Sequence, residues 1–153
     1  TLNESRYLGS LLAAIAAQDE SSPTYEIILV DSGSTDATLD IAAAHGCRVL
    51  HINRSEFSFG RSLNIGCEAA IGQVLVMISG HCVPTDRFWL KNLCRPLFEG
   101  HAQYAYGKQM GGDASAPSEC AIFQKYFPDT SQVPQSDYFC NNANSALLRT
   151  TWA

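Results

Sequence analysis

The sequence has no C-x-x-C pair, no cluster of basic residues and no apolar run near the roughly 20 residues that a membrane-spanning helix requires. Each absence removes a class of function. Six cysteines (Cys47, Cys67, Cys82, Cys94, Cys120 and Cys140) stand far apart, mostly inside apolar patterns, and predict reduced, largely buried thiols in a cytosolic protein. Ten basic residues against 15 acidic ones give a net charge of -5, and the basic ones are scattered, which argues against a nucleic-acid partner. G-x-G-x-x-G and G-x-x-x-x-G-K-[ST] are both missing, so neither a dinucleotide fold nor a P-loop enzyme is supported. No basic-plus-apolar leader opens the chain, and the expected location is the cytoplasm, with peripheral contact at the inner face of a membrane left open. What remains is 153 residues with 46% apolar content, room for one domain with a substantial core.

The patterns alternate between helix and strand. Leu8, Leu11, Leu12 and Ile15 follow helical spacing and predict a helix over 4–17, capped by Asn3 or Ser5. Strands are expected at 25–30, 48–52, 74–78 and 103–107, and helices at 35–44, 60–70, 87–98 and 119–126, with Gly46 in a left-handed cap. GGDASAPSE and FPDTSQVPQSD read as loops, and FCNNANSALLR as a polar loop entering a strand. This order implies an α/β fold, a mostly parallel central sheet flanked by helices. Ligands of such sheets bind beyond the carboxyl ends of the strands. Two polar strand ends therefore stand out on one sheet edge, D-S-G-S-T-D at 31–36 and S-G-H at 79–81.

In the first, Asp31 can accept hydrogen bonds from a base or ribose, Gly33 permits close approach, and Ser34 or Thr35 caps the following helix; a plain turn with an N-cap uses the same residues. Arg61 and Asn64, near a helix start, suit a diphosphate or sugar, or else a solvated surface. Asn141, Asn142 and Asn144 carry amides of the kind that hold hydroxyl groups, and also of the kind that form turns. Lys108 and Gln109 follow a strand toward the same edge and are candidates for an acceptor cleft.

TLNES, EIILVDSGSTDAT, FSFGRSLNIGCEAAIGQVLVMISGHCVP and NNANSALLR together resemble the nucleotide-sugar half of a family 2 glycosyltransferase of the GT-A fold, in its rhamnosyltransferase-like bacterial branch. The resemblance covers most of the chain. It implies a Rossmann-like nucleotide-diphospho-sugar transferase fold in which Thr1, Asn3, Glu4, Asp31, Ser32, Gly33, Arg61 and Asn64 bind the nucleotide. Ser79 and His81 would occupy the two carboxylate positions of the family's D-x-D motif, which holds a divalent metal on the diphosphate. Lys108, Asn141, Asn142 and Asn144 would face the sugar or acceptor. Three roles compete for His81: ligand to Mn²⁺ or Mg²⁺, direct contact to the diphosphate without metal, or a structural residue at a strand end.

The resemblance further implies an inverting hexosyl- or deoxyhexosyltransferase that moves a sugar from a nucleotide-diphosphate donor to a saccharide or lipid-linked acceptor in envelope or exopolysaccharide synthesis. Inversion needs a general base, and neither Asp129 nor Asp137 stands at the family's position for it, so the catalytic residue is unassigned and expected beyond Ala153. Residues 1–153 are accordingly expected to be one partial catalytic domain, lacking its first strand and its acceptor region. Two rivals remain: a nucleotide-sugar-binding domain without catalysis, and a sugar-1-phosphate nucleotidyltransferase.

Overall fold

The structure, a computed structural model, describes residues 1–112, 115–136 and 139–152. Helix α1 (Ser5–Ala16) buries Leu8, Leu11, Leu12 and Ile15, the four residues that helical spacing puts on one face. There follow β1 (Ile28–Asp31), α2 (Thr38–Ala44), β2 (Arg48–His51), a 3-10 turn at Arg54–Glu56 and α3 (Phe59–Ala69). The second half contains β3 (Val74–Ile78), α4 (Trp89–Phe98), β4 (Tyr104–Tyr106), α5 (Pro117–Tyr126), β5 (Asn144–Leu148) and α6 (Arg149–Trp152).

Strands β1 and β2 pair in parallel, from Ile28 opposite Arg48 to Asp31 opposite His51. Strand β5 lies between β3 and β4 and is antiparallel to both. The α/β expectation holds, with this difference in strand direction. β1 reaches β2 through a helical crossover, which returns the chain to run parallel, whereas β5 is entered from the long segment after α5 and is free to run the other way. One face of the β3–β5–β4 sheet packs Val74, Val76, Ala146 and Leu148 against Leu90, Leu93, Cys94 and Leu97 of α4. The other packs Leu75, Met77 and Leu147 with Leu63 and Cys67 of α3 and with Trp152.

Thr1 joins the two sheets. Its backbone nitrogen donates to the Val30 carbonyl at 2.8 Å and its carbonyl accepts from the Ser32 N–H at 3.0 Å, the two-sided pattern of a parallel neighbour. On its other side Gly80 packs close, since a Cβ there would stand 3.3 Å from Thr1 Oγ1 and 3.2 Å from Glu4 Cγ. The N-terminal residues thus bridge the carboxyl ends of β1 and β3.

Neither Asn3 nor Ser5 caps α1. The Asn3 amide is committed to the loop after β1, and the helix start is capped from that loop instead. Thr38 Oγ1 accepts from the Glu4 N–H at 2.9 Å and Asp36 Oδ2 from the Ser5 N–H at 3.1 Å. Helix α2 begins at Thr38 rather than 35 because Asp36 folds back onto the Thr38 N–H. Gly46 adopts φ 68°, the left-handed cap expected of it.

Candidate functional site

Asp31 ends β1 with its carboxylate 1% exposed. It accepts from the Gly33 N–H at 2.9 Å, the Ser34 N–H at 3.0 Å and the Ser34 hydroxyl, and His51 Nδ1 lies 3.8 Å away. Burial pushes its pKa up, but the Ser34 hydroxyl, the N–H groups of Ser34 and Gly33 and the nearby His51 outweigh burial and hold it below the ordinary carboxylate value. Asp31 therefore shapes its own loop, with Gly33 turned at φ 98°. Asn3, at φ 53°, braces the same loop, accepting from the Thr35 N–H at 2.8 Å and donating its own N–H to Ser34 Oγ at 2.9 Å. These contacts make Thr1 and Asn3 part of the frame that holds the loop.

Beside that loop is a cleft of about 520 Å³ lined by Ser32, Gly33, His51, Arg54, Glu56 and Arg61 among others, within the ordinary size of a small-molecule site. Ser58 caps α3 by accepting from the Arg61 N–H, which sets Arg61 in the first turn of that helix. Its guanidinium sits 3.3 Å from Glu56, exposed on both sides. Such a pair is worth under about 1 kcal/mol, so an anion can displace it. Asn64 is not in this cleft; it lines a second one of about 510 Å³ with Cys67, Glu68, Arg149 and Trp152. His51 and Arg54 were missed in the sequence, although the register that puts His51 opposite Asp31 follows from the same strand-end rule.

At the end of β3 the Ser79 N–H bonds to the Ala143 carbonyl at 3.1 Å, and a turn brings the Cys82 N–H to the Ser79 carbonyl at 3.0 Å. His81 Nδ1 is 3.2 Å from Glu4 Oε1, and Ser79 Oγ lies 3.2 Å from Nε2 and 3.4 Å from Nδ1 of the same ring. Glu4 thus faces His81, 77 residues away, rather than the first cleft. Among the described residues no three His, Cys, Asp or Glu side chains converge on a metal position.

The asparagines divide. Asn144 begins strand β5 with its side chain 9% exposed; Oδ1 accepts from Trp89 Nε1 at 2.9 Å and Nδ2 donates to the Lys108 carbonyl at 3.3 Å. The structure thus engages its amide with the core, on Trp89 and the Lys108 carbonyl. Asn141 Oδ1 accepts from the Ala143 N–H at 2.7 Å and is likewise a turn former. Asn142 keeps an exposed side chain, with only a 3.5 Å approach to the Tyr104 hydroxyl. Lys108 pairs with Asp129, whose carboxyl is held below its usual range by hydrogen bonding to the ammonium and by its charge. A carboxyl so held is a weak proton acceptor. Gln109 Nε2 approaches Cys82 Sγ at 3.9 Å, so the ends of β3 and β4 do meet. Asp137 lies outside the described residues.

Solved structures share this fold. Glucosyl-3-phosphoglycerate synthase from Mycobacterium tuberculosis, solved with UDP, superposes with a TM-score of 0.67 at 24% identity, over 98% of this chain and 55% of that one. The mannosyltransferase PcManGT from Pyrobaculum calidifontis, solved with GDP-Man and Mn²⁺, gives 0.70 at 18% identity, over 98% and 43%. TarS from S. aureus, solved with UDP-GlcNAc, gives 0.63 at 24% identity, over 76% and 34%. These are GT-A glycosyltransferases, and the fold is theirs. In sequence, glycosyltransferase AglE from Haloferax volcanii is 30% identical over 94 residues, 58% of this chain and 30% of that protein. The chain thus spans about a third to a half of the length of these relatives. The family described as Glycosyl transferase family 2 matches residues 1–131, most of the chain, and the chain belongs to that family.

Proposed function

We propose that this chain is the donor-binding part of an inverting glycosyltransferase that takes a hexosyl or deoxyhexosyl group from a nucleoside-diphosphate sugar to a saccharide or lipid-linked acceptor, in envelope or exopolysaccharide synthesis. The observation that carries the reading is the meeting of two strand ends. Thr1 and Gly80 hold the Asp31–Ser34 loop and its cleft beside Ser79 and His81 on one sheet edge. A nucleoside in the cleft, contacting Gly33, His51 and Arg61, would direct its diphosphate toward that second strand end. Its binding in relatives solved with UDP, UDP-GlcNAc and GDP-Man supports the donor class.

Glu4, His81 and Ser79 offer one carboxylate, one imidazole and one hydroxyl beside the expected diphosphate, and the Mn²⁺ bound with the donor in relatives supports a divalent ion there. Bound there, the ion would neutralise charge on the departing diphosphate. Asn142 and Lys108 remain candidates for the acceptor side, and no general base is assigned within residues 1–153. The missing carboxylates at 79 and 81 favour a second reading, a binding domain without transfer, which sugar transfer by the full polypeptide would exclude.

Thermal unfolding with UDP, GDP and dTDP, each with Mn²⁺, Mg²⁺ or EDTA, tests the reading. At 100 times its Kd a diphosphate stabilises by about 2.7 kcal/mol, which raises Tm by several degrees. No shift with any of the three would remove the donor site.

A further inference from the structure

The 3-10 turn Arg54–Glu56 folds back on Asn53, whose carbonyl accepts from the Glu56 N–H at 2.9 Å. It brings Glu56 into the first cleft, where the other ionisable groups are Arg54, Arg61 and His51, and Glu56 is the one carboxylate among the described residues that line it. Its two oxygens are held separately. The Arg61 guanidinium donates to Oε1 at 3.3 Å and the Asn53 amide donates to Oε2 at 3.3 Å. A carboxylate offers about four acceptor positions, so about two stay open on a group whose orientation is already set. The side chain is 47% exposed, and a ligand in the cleft can reach it.

A negative group in a site for an anionic donor opposes the diphosphate and must meet a part of the ligand that donates hydrogen bonds. In a nucleoside diphosphate the ribose is that part: its neighbouring 2′ and 3′ hydroxyls match the two oxygens of one carboxylate, the chemistry by which acidic side chains hold ribose in dinucleotide sites. A base N–H is the rival partner. The strand ends at Ser32, Gly33 and His51 carry polar groups for a base, whereas Glu56 stands beyond them on the connection to α3, beside Arg61. We propose that Glu56 reads the ribose diol and makes this cleft select ribonucleoside diphosphates over their 2′-deoxy counterparts, a proposal that rests on the donor-site reading above. Asn53 and Arg61 are the positioning residues, since they fix the carboxylate that the diol meets. When the ligand's own charge draws Arg61 away, Asn53 still holds Oε2, and Oε1 gains a free position for the second hydroxyl.

The test is isothermal titration calorimetry of the full polypeptide with UDP, 2′-deoxy-UDP, GDP and 2′-deoxy-GDP, each with Mn²⁺. The expected result is that whichever base binds does so about 10–100-fold more tightly in its ribose form, the effect of one hydrogen bond to a charged group. That ratio should fall below about threefold in Glu56→Ala and lie between in Glu56→Gln, both folding with near-native Tm because the exposed pair with Arg61 contributes little stability. The ratio is the readout because absolute affinity also changes when a negative charge leaves the cleft. Equal binding of the ribose and deoxyribose forms by the native protein would overturn the proposal and leave the donor site standing. A ratio that survives in both variants would give the diol to another group and overturn the role of Glu56. If the variants change the choice between UDP and GDP but not the ribose ratio, Glu56 reads the base and the proposal fails. Failure of all four nucleotides to bind would overturn the donor-site reading and this proposal with it.

Discussion

At the scale of single residues, polar groups that looked available for a ligand are spent on the protein itself. Asp31 is the sharpest case, with three donors of its own loop on one buried carboxylate. Because its folded pKa is lowered, it contributes stability above the ordinary unfolded value of about 3.9, and that contribution is lost as pH falls through the lower folded value. Asp31→Asn should therefore be less stable than the native chain by about 1–3 kcal/mol at pH 7, with the difference shrinking below about pH 4, as urea unfolding across that range would record. Asn144→Ala strips the acceptor from Trp89 and the donor from the Lys108 carbonyl, and should cost about 1–3 kcal/mol. Asn142→Ala should leave stability within about 0.5 kcal/mol, since its side chain is exposed. Equal losses from both substitutions would contradict the distinction drawn between them.

Elements here are held by partners distant in sequence. Helix α1 takes its N-terminal caps from Thr38 and Asp36, after β1, so its start forms only when β1 and α2 are in place. Thr38→Val, a change of shape smaller than its change of chemistry, should cost about 1–2 kcal/mol through the orphaned Glu4 N–H, as urea unfolding would record. Strand β5 depends on a close approach of the same kind: a Cβ on Gly107 would lie 2.4 Å from Asn144 Nδ2. Gly107→Ala must push that amide off its two partners. Its destabilisation and that of Asn144→Ala should fall well short of additive in the double variant, and full additivity would show that Gly107 acts elsewhere.

For the whole molecule, the decisive feature is that three stretches far apart in sequence share one edge: 31–34, 51–61 and 79–81, linked through Thr1 and Glu4. A single bound diphosphate should slow amide hydrogen exchange in all three at once, leaving α5 unaffected. Protection confined to 51–61 would mean a ligand in the cleft that never reaches His81.

Periodicity and composition sufficed for much of this architecture. Strand β3 falls on residues 74–78 as the apolar run predicts, the buried face of α1 is the one its spacing picks out, and Gly46 turns as a cap, because these depend on contacts within a few residues or on burial alone. The two polar strand ends were legible for the same reason, since a run of apolar residues must stop where solvent begins. Tertiary structure alone decided how their side chains are used. Whether Asp31, Asn141 and Asn144 face a ligand or the protein depends on donors and acceptors that other segments bring to them, and a polar residue reads identically in sequence in either case. The pairing of Glu4 with His81 is the extreme instance: 77 residues separate them, and only the bridge made by Thr1 over Gly80 puts a carboxylate beside the imidazole.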